Sequence, residues 1–207
     1  MAFRVAVLIS GTGTNLQALL DQVHEPGGAV EIVGVASSRA DAAGLERARA
    51  AGVEAATFAI AEHADRAERD RALGDWLEAR AVDLVVLAGF MELLSADFIG
   101  RFAGRIVNVH PSLLPAFPGL RAIEQAVEHG AKVTGVTVHF VDEGVDSGAI
   151  VLQEALELPY PARIAEIEER VHGVEHRLLP RAVRLIAAGR VRPDPSNPRA
   201  MLTDDVD

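Results

Sequence analysis

The 207-residue sequence predicts an α/β fold: an open, mostly parallel twisted sheet with helices on both faces and an antiparallel C-terminal extension. Three observations predict it. Short β-rich runs alternate with helical periodicity through the first half of the chain. Two of these runs are continuously apolar, as expected of strands covered on both faces. After residue 110 the alternation gives way to a proline-rich loop and two longer β-rich runs.

The elements of the first half follow one another as strand, turn and helix. The run Phe3–Ile9 is β-rich, and apolar residues recur at helical spacing from Thr14 onward. The predicted order continues with strands at 30–36, 53–58, 83–88 and 105–110 and with helices at 41–51, 65–80 and 95–102. Folds of this class bind ligands at the carboxyl ends of their strands, so polar residues there are candidates for a site.

The second half begins with segment 111–120, which contains three prolines and is predicted to be a loop. A short helix at 123–130 follows, and then strands at 132–141 and 149–158 joined by an acidic turn. An apolar stripe marks a last helix, which Pro180 should kink and Gly189 should end. We expect one domain over residues 1–189 and a mobile tail over 190–207, because the tail is rich in proline and poor in apolar residues.

The composition restricts the classes of function. Thirty acidic residues against 20 basic ones give a net charge of −10, which argues against nucleic acid as a partner. The chain has no cysteine, which excludes disulfides, thiolate metal sites and thiol nucleophiles. No apolar run approaches the roughly 20 residues that cross a bilayer, so no membrane association is expected. These observations favour a cytoplasmic protein.

A glycine-rich turn separates the first strand from the first helix. Its glycines let the backbone approach a ligand, and a helix N-terminus favours an anion, so Gly13, Thr14 and Asn15 are candidates to bind a phosphate. The alternative is an ordinary turn in which Thr14 or Asn15 caps the helix. The dinucleotide fingerprint fails because Leu16 stands at the place of its third glycine, and the P-loop fails because its lysine is missing.

Asn108 and His110 lie two residues apart at the end of a strand predicted to be buried. Residues at this spacing project to the same face, so both side chains can face one ligand at the carboxyl end of the strand. Pro111 restricts His110 to extended geometry. The alternative, equally open from the residues alone, is a hydrogen-bonded polar pair in the core.

The acidic connection 142–148 supplies several carboxylates. One that folds back onto His110 would favour the imidazolium and orient the ring, which creates a proton donor near neutral pH. A solvated turn is the plainer alternative, and calcium is disfavoured because the ligand pattern of an EF-hand is incomplete. A phosphate cradle, an Asn, a His and a carboxylate could support acid–base chemistry, but the residues alone do not say which group is transferred.

Five motifs resemble the folate-dependent formyltransferase family, in particular its glycinamide ribonucleotide transformylases: VLISGTGTNLQALL, VVLAGFMELL, IVNVHPSLLPAFPGL, GVTVHFVDEGVDSGAIVLQ and RVHGVEH. They occur in the family's order between about residue 4 and residue 189. The resemblance implies a Rossmann-like formyltransferase fold. It also implies a step of purine biosynthesis, in which the amine of glycinamide ribonucleotide attacks the formyl group of 10-formyltetrahydrofolate through a tetrahedral intermediate, without a metal.

The resemblance also implies roles for individual residues. Asn108 would hydrogen-bond the formyl oxygen, His110 would donate the proton, and Asp146 would hold the ring charged and oriented. The substrate's phosphate and ribose would contact Gly13, Thr14, Asn15 and Glu175. The folate would contact Arg66, Met91, Glu92, Leu93, Leu94, Asn108 and Val141. Glu92 departs from the family, whose members usually have Arg there.

Several alternatives stay open. Within the same fold, the chain could hydrolyse formyltetrahydrofolate or formylate another acceptor. From a different class, it could be a dinucleotide-binding regulator or a dehydrogenase that uses the first strand-to-helix turn. His139, inside a strand, is interpreted as a structural residue. Both a monomer and a homodimer are compatible with the sequence.

Overall fold

The computed structural model describes residues 2–204, and the chain divides into two compact units. The first unit ends at Val107 and the second begins at Asn108. The predicted organisation of residues 1–189 as a single domain therefore stays a prediction.

The first unit consists of parallel strands connected by helices. Its strands are β1 (Phe3–Ile9), β2 (Val30–Ser37), β3 (Ala55–Thr57) and β4 (Leu84–Leu87), in the order β3-β2-β1-β4. Its helices are α1 (Thr14–Gln22), α2 (Gly44–Ala50), α3 (Arg66–Glu78) and α4 (Ala96–Arg101), with a 3₁₀ turn at Ile60–Glu62. The central strands β1 and β4 form the core, since β4 and the second half of β1 are buried throughout.

The second unit carries longer strands. It contains α5 (Ala122–Glu128), β6 (Val133–Phe140), β7 (Ile150–Glu157), α6 (Ile164–Ala187), β8 (Val191–Asp194) and β9 (Asn197–Thr203). Strand β5 (Ile106–His110) enters this unit at Asn108 and is followed in the sheet by β6, β7, β9 and β8. The β6–β7 and β8–β9 pairs are antiparallel. The predicted fold class is confirmed, because the sheet is mixed and mostly parallel with antiparallel C-terminal strands.

The last helix follows the predicted apolar stripe. Ile167, Val171 and Leu178 are among its buried residues. The helix ends where the sequence predicted: Gly189 has φ +67°, and its amide donates to the carbonyl of Ile186. Pro180 lies within the helix, and the kink expected there stays a prediction.

Two strands occupy most of the segment after Gly189, and the mobility expected of this tail stays a prediction. Strands β8 and β9 form a hairpin, β9 pairs with β7 at Ile150, and the Asp204 amide donates to the Arg190 carbonyl. Backbone hydrogen bonds to an existing strand stabilise this hairpin, which explains how a segment with few apolar residues becomes a strand. Residues 205–207 of the predicted tail lie outside the described residues.

Two searches of residues 2–204 concern functional classes. No helix in this range is long and apolar enough to span a bilayer. In the same range, no group of three or more His, Asp or Glu side chains is arranged to hold a metal ion.

Candidate active site

Three candidate residues of the second unit meet around one carboxylate. Asn108 and His110 lie on β5, and Asp146 lies on the connection between β6 and β7. The Oδ2 atom of Asp146 is 3.4 Å from His110 Nδ1, and its Oδ1 atom is 3.5 Å from His139 Nε2. His139 Nε2 in turn lies 3.3 Å from Asn108 Nδ2. The four side chains therefore form one continuous polar chain.

The His110 ring is held on both sides. Its Nε2 atom lies 2.9 Å from the carbonyl oxygen of Phe117, and its Nδ1 atom faces Asp146. A carbonyl and a carboxylate only accept hydrogen bonds, so the ring satisfies both partners only when both nitrogens carry protons. Only 5% of the residue is exposed to solvent, so these protein groups are the partners that decide how the ring is held.

The loop after β5 supplies the carbonyl that His110 needs. Phe117 has a left-handed backbone (φ +52°), and Ser112 Oγ donates to the Ala116 carbonyl at 2.6 Å. Thr137 on β6 holds the start of this loop: its Oγ1 donates to the Ser112 carbonyl at 2.7 Å and accepts from the Leu114 amide at 3.1 Å. The prolines restrict the loop, and these hydrogen bonds fix its path back towards His110.

Asp146 is held in place by its own backbone and by a neighbour. Its φ of +50° lies in the left-handed region, which a non-glycine residue adopts only when its surroundings impose it. The Gly119 amide donates to Oδ2 at 2.7 Å. Burial opposes ionisation, but hydrogen bonds such as that from the Gly119 amide and positive charge such as that on the neighbouring His110 ring outweigh burial, so the pKa of Asp146 lies below its ordinary value. The carboxylate is therefore ionised at neutral pH.

The glycine-rich turn of the first unit is shaped by Gly13. This residue has φ +72° and precedes α1 as its N-cap, without a side-chain capping hydrogen bond. A Cβ atom there would lie 2.7 Å from the Gly44 Cα, so glycine is required on steric grounds as well. The alternative that Thr14 or Asn15 caps the helix is therefore wrong. Asn15 is buried in the first turn, and Thr14 is half-buried beside it.

The predicted folate residues of the first unit fall in two places. Arg66 is the exposed first residue of α3. Met91 and Leu93 are 68% and 63% exposed, large fractions for apolar side chains, and Glu92 and Leu94 are half-buried between and beside them. An exposed apolar pair of this kind is typical of a ligand-binding surface.

A buried ion pair anchors this exposed segment. Arg69 is fully buried on α3, and its Nε lies 2.6 Å from Asp70 Oδ1. Arg69 donates to the Leu93 carbonyl at 3.2 Å, and Asp70 accepts from the Ser95 amide at 2.6 Å. One charged pair thus fixes both ends of the short segment 93–95. Nothing in the residue pattern of α3 singled out this pair.

The remaining predicted residues lie in the second unit. Glu175 is buried on α6, and Val141 is half-buried just after β6. Sequence reasoning missed the Phe117 carbonyl and the Gly119 amide, because the pattern of side chains does not indicate where backbone groups will point. It also gave His139 only a structural role. The signal that could have found it is a histidine that ends an apolar strand just before the acidic turn.

Comparisons with known proteins agree with one another. The family described as formyl transferase matches residues 3–183. The trifunctional purine biosynthetic protein adenosine-3 of Homo sapiens is 47% identical over 91% of this chain and 19% of its own length. Phosphoribosylglycinamide formyltransferase of Haemophilus influenzae is 44% identical over 91% of this chain and 89% of its own. The chain thus spans about a fifth of the length of the trifunctional relatives it matches.

Solved structures give the same result. Glycinamide ribonucleotide transformylase 1 from Symbiobacterium toebii superposes with a TM-score of 0.93 at 48% identity, covering 99% of this chain and 95% of that one. Phosphoribosylglycinamide formyltransferase from Anaplasma phagocytophilum superposes with a TM-score of 0.91 at 33% identity, covering 100% and 97%.

Proposed function

Because the chain belongs to the formyl transferase family, we propose that it transfers the formyl group of 10-formyltetrahydrofolate to the amine of phosphoribosylglycinamide, a step of purine biosynthesis. The observation that carries this proposal is the His110 ring, held between the Phe117 carbonyl and the Asp146 carboxylate. A ring that carries a proton on both nitrogens can act as a proton donor in this position, and formyl transfer between two nitrogens needs such a donor.

The reaction exchanges one carbon–nitrogen bond for another. The amine nitrogen of the substrate attacks the formyl carbon, and the formyl oxygen takes up negative charge in the tetrahedral intermediate. The intermediate collapses when the bond to N10 of the folate breaks. The ring of His110 gives one proton to N10 and takes up the proton that the amine nitrogen loses, so the overall transfer needs no other reactant.

The residues of the second unit supply what each stage requires. The Asn108 carboxamide donates a hydrogen bond to the developing oxyanion, where a positioned donor stabilises the transition state more than the ground state. The His110 imidazolium adds positive charge and donates the proton to N10. Asp146 remains ionised, and its negative charge favours the charged ring until the proton is transferred.

One nitrogen of His110 is better placed to leave its partner. The Nε2 contact with Phe117 is 2.9 Å, within hydrogen-bond range, whereas Nδ1 lies 3.4 Å from Asp146. We assign Nδ1 as the atom that donates to the substrate, because it gives up the weaker contact. Nε2 then keeps the ring in position.

The binding roles of the first unit belong to the same proposal. The backbone amides at the start of α1, with Thr14 and Asn15, bind the substrate phosphate. Arg66 and segment 91–94 bind the folate, for which the exposed Met91 and Leu93 provide apolar surface. Glu175 and Val141 complete the sets for substrate and folate. The predicted cytoplasmic location and the choice between monomer and homodimer stay predictions.

Purified protein supplied with 10-formyltetrahydrofolate and phosphoribosylglycinamide tests the proposal. We expect stoichiometric formation of formylated ribonucleotide and tetrahydrofolate, with no formate. Formate release that does not depend on the ribonucleotide would show a hydrolase instead. Comparing phosphoribosylglycinamide with its dephosphorylated form measures how strongly the protein prefers the phosphate. Thr14→Val should reduce that preference. An unchanged preference would show that Thr14 does not bind the phosphate.

A further inference from the structure

The two histidines that contact Asp146 have nearly equivalent surroundings. In His110, Nε2 faces the Phe117 carbonyl and Nδ1 lies 3.4 Å from the carboxylate. In His139, Nδ1 lies 2.9 Å from the Phe140 carbonyl and Nε2 lies 3.5 Å from the carboxylate. Each ring therefore has one backbone carbonyl and one carboxylate oxygen as partners. By these contacts alone, either ring could carry the positive charge.

Asn108 distinguishes the two rings. Its Nδ2 atom is 3.3 Å from His139 Nε2, and a carboxamide nitrogen only donates. His139 can accept that hydrogen bond only when Nε2 carries a lone pair, so its single proton stays on Nδ1 and is donated to Phe140. A second imidazolium against one buried carboxylate would also cost desolvation and repulsion. In this form Nε2 has no proton to share with Asp146, whose carboxylate is then held by the Gly119 amide and by His110.

A strand irregularity brings His139 to this position. The β6–β7 register shifts between Val138 and His139, so that Val138 pairs with Leu152 and His139 with Ile150. Such bulges redirect a side chain and occur preferentially beside active sites. His139 is 2% exposed, so its two nitrogens have only these protein partners to satisfy them within the described residues.

We propose that neutral His139 is a positioning residue that fixes the orientation of the Asn108 carboxamide for formyl transfer, an inference that rests on the proposed function. One N–H of the carboxamide is donated to His139 Nε2, and the other N–H of the same nitrogen is left for the formyl oxygen. The reversed carboxamide would present its oxygen, which repels the developing oxyanion. His139 thereby acts on the transition state through Asn108 and leaves substrate binding almost unchanged.

Two substitutions and a double-variant cycle test this role. His139→Leu removes the acceptor, whereas the amide oxygen of His139→Gln can accept the Asn108 N–H. We expect His139→Leu to lower kcat by about 10-fold or more, approaching the ~10²-fold loss of an oxyanion donor, with KM for both substrates within about twofold. His139→Gln should restore most of kcat. In an Asn108→Ala background, His139→Leu should cost little further.

Two outcomes would contradict the positioning role of His139. Losses from His139→Leu and Asn108→Ala that multiply would show that His139 does not act through Asn108, and so would a His139→Gln variant as slow as His139→Leu. Circular dichroism and thermal melting establish that each variant is folded. If His139→Leu is unfolded, His139→Gln and its combination with Asn108→Ala carry the test.

A spectroscopic readout is independent of activity. In protein labelled with ¹⁵N-histidine, the resonances of residue 139 are those missing from the His139→Gln spectrum. We expect Nε2 to have the shift of an unprotonated imidazole nitrogen and Nδ1 that of a protonated one near pH 7.5. A protonated Nε2 would overturn the inference. A wild type without formyl transfer, but with this tautomer, would refute the proposed function and leave the hydrogen-bond assignment intact.

Discussion

Replacing Thr137 by valine tests how the loop after β5 is held. Thr137 is fully buried, and its hydroxyl uses all three of its hydrogen-bonding positions: it donates to the Ser112 carbonyl and accepts from the Leu114 amide and from Gln153 Nε2. Valine has nearly the same shape, so Thr137→Val creates no cavity. The variant therefore isolates the loss of these hydrogen bonds.

The cost follows from what each partner retains. Gln153 Nε2 keeps its hydrogen bond to the Leu114 carbonyl at 2.9 Å. The Leu114 amide loses its acceptor and the buried Ser112 carbonyl loses its donor. An unsatisfied buried group costs about 1–3 kcal/mol, so two should lower the free energy of unfolding by about 2–6 kcal/mol.

Turnover should fall in the same variant. The loop that Thr137 holds ends at Phe117, whose carbonyl accepts from His110. A loop displaced by about 1 Å at a catalytic group can cost up to ~10²-fold in rate. We expect kcat to fall more than KM changes, at a temperature where melting shows that the variant is folded.

Urea unfolding and steady-state kinetics measure both effects. Thr137→Ser is the matched control, because it keeps the hydroxyl and loses only a methyl group, at about 1 kcal/mol. A Thr137→Val variant within about 1 kcal/mol of wild type, or no less stable than Thr137→Ser, would refute the reasoning about hydrogen bonds. Unchanged kcat would separate the loop from the reaction.

Three further predictions concern charged groups. Because the pKa of Asp146 is depressed in the folded state, the stability that its carboxylate contributes is present above about pH 4 and is lost as pH falls through the folded-state pKa. The difference in the free energy of unfolding between wild type and Asp146→Asn, measured in urea, should therefore shrink in acid. A difference that does not change with pH would contradict this. Asp70→Asn leaves the Arg69 guanidinium buried without its carboxylate and should cost about 3–5 kcal/mol in urea unfolding. Adding Arg69→Met should recover much of that loss, whereas no recovery would argue against the ion pair as the cause. Burial and then repulsion from His172 hold the pKa of His176 below its ordinary value, so His172→Gln should raise it in an NMR titration.

Features set by local chemistry could be predicted from the sequence. The predicted helices at 65–80 and 95–102 begin at residues that the structure shows to be N-caps: Asp65 accepts from the Glu68 amide, and Ser95 accepts from the Phe98 amide. Local chemistry also underlies the prediction for Asn108 and His110, since the period of a strand places residues two apart on one face. In each case the rule involves residues within three positions of one another.

Features set by distant partners could not be predicted. Arg69 lies in a helix that is mostly charged, where solvation is the ordinary expectation, yet it is fully buried beside the Leu93 carbonyl and the Asp70 carboxylate. Strand β9 forms through pairing with β8 and with β7, whose position relative to the tail the sequence does not specify. The apolar content of a segment predicts whether its side chains are buried. It does not predict which strand will pair with the free N–H and C=O groups of its backbone.

His139 shows the same limit at the site itself. A histidine in a strand is more often structural than catalytic, and buried, hydrogen-bonded His139 fits that expectation. Its difference from His110 lies in a single donor, the Asn108 carboxamide nitrogen at 3.3 Å, and not in any spacing along the chain. Since both rings contact the Asp146 carboxylate and a backbone carbonyl, that one donor determines which ring keeps a lone pair. The proposed division of roles between the histidines therefore rests on three-dimensional contacts that residue order does not encode.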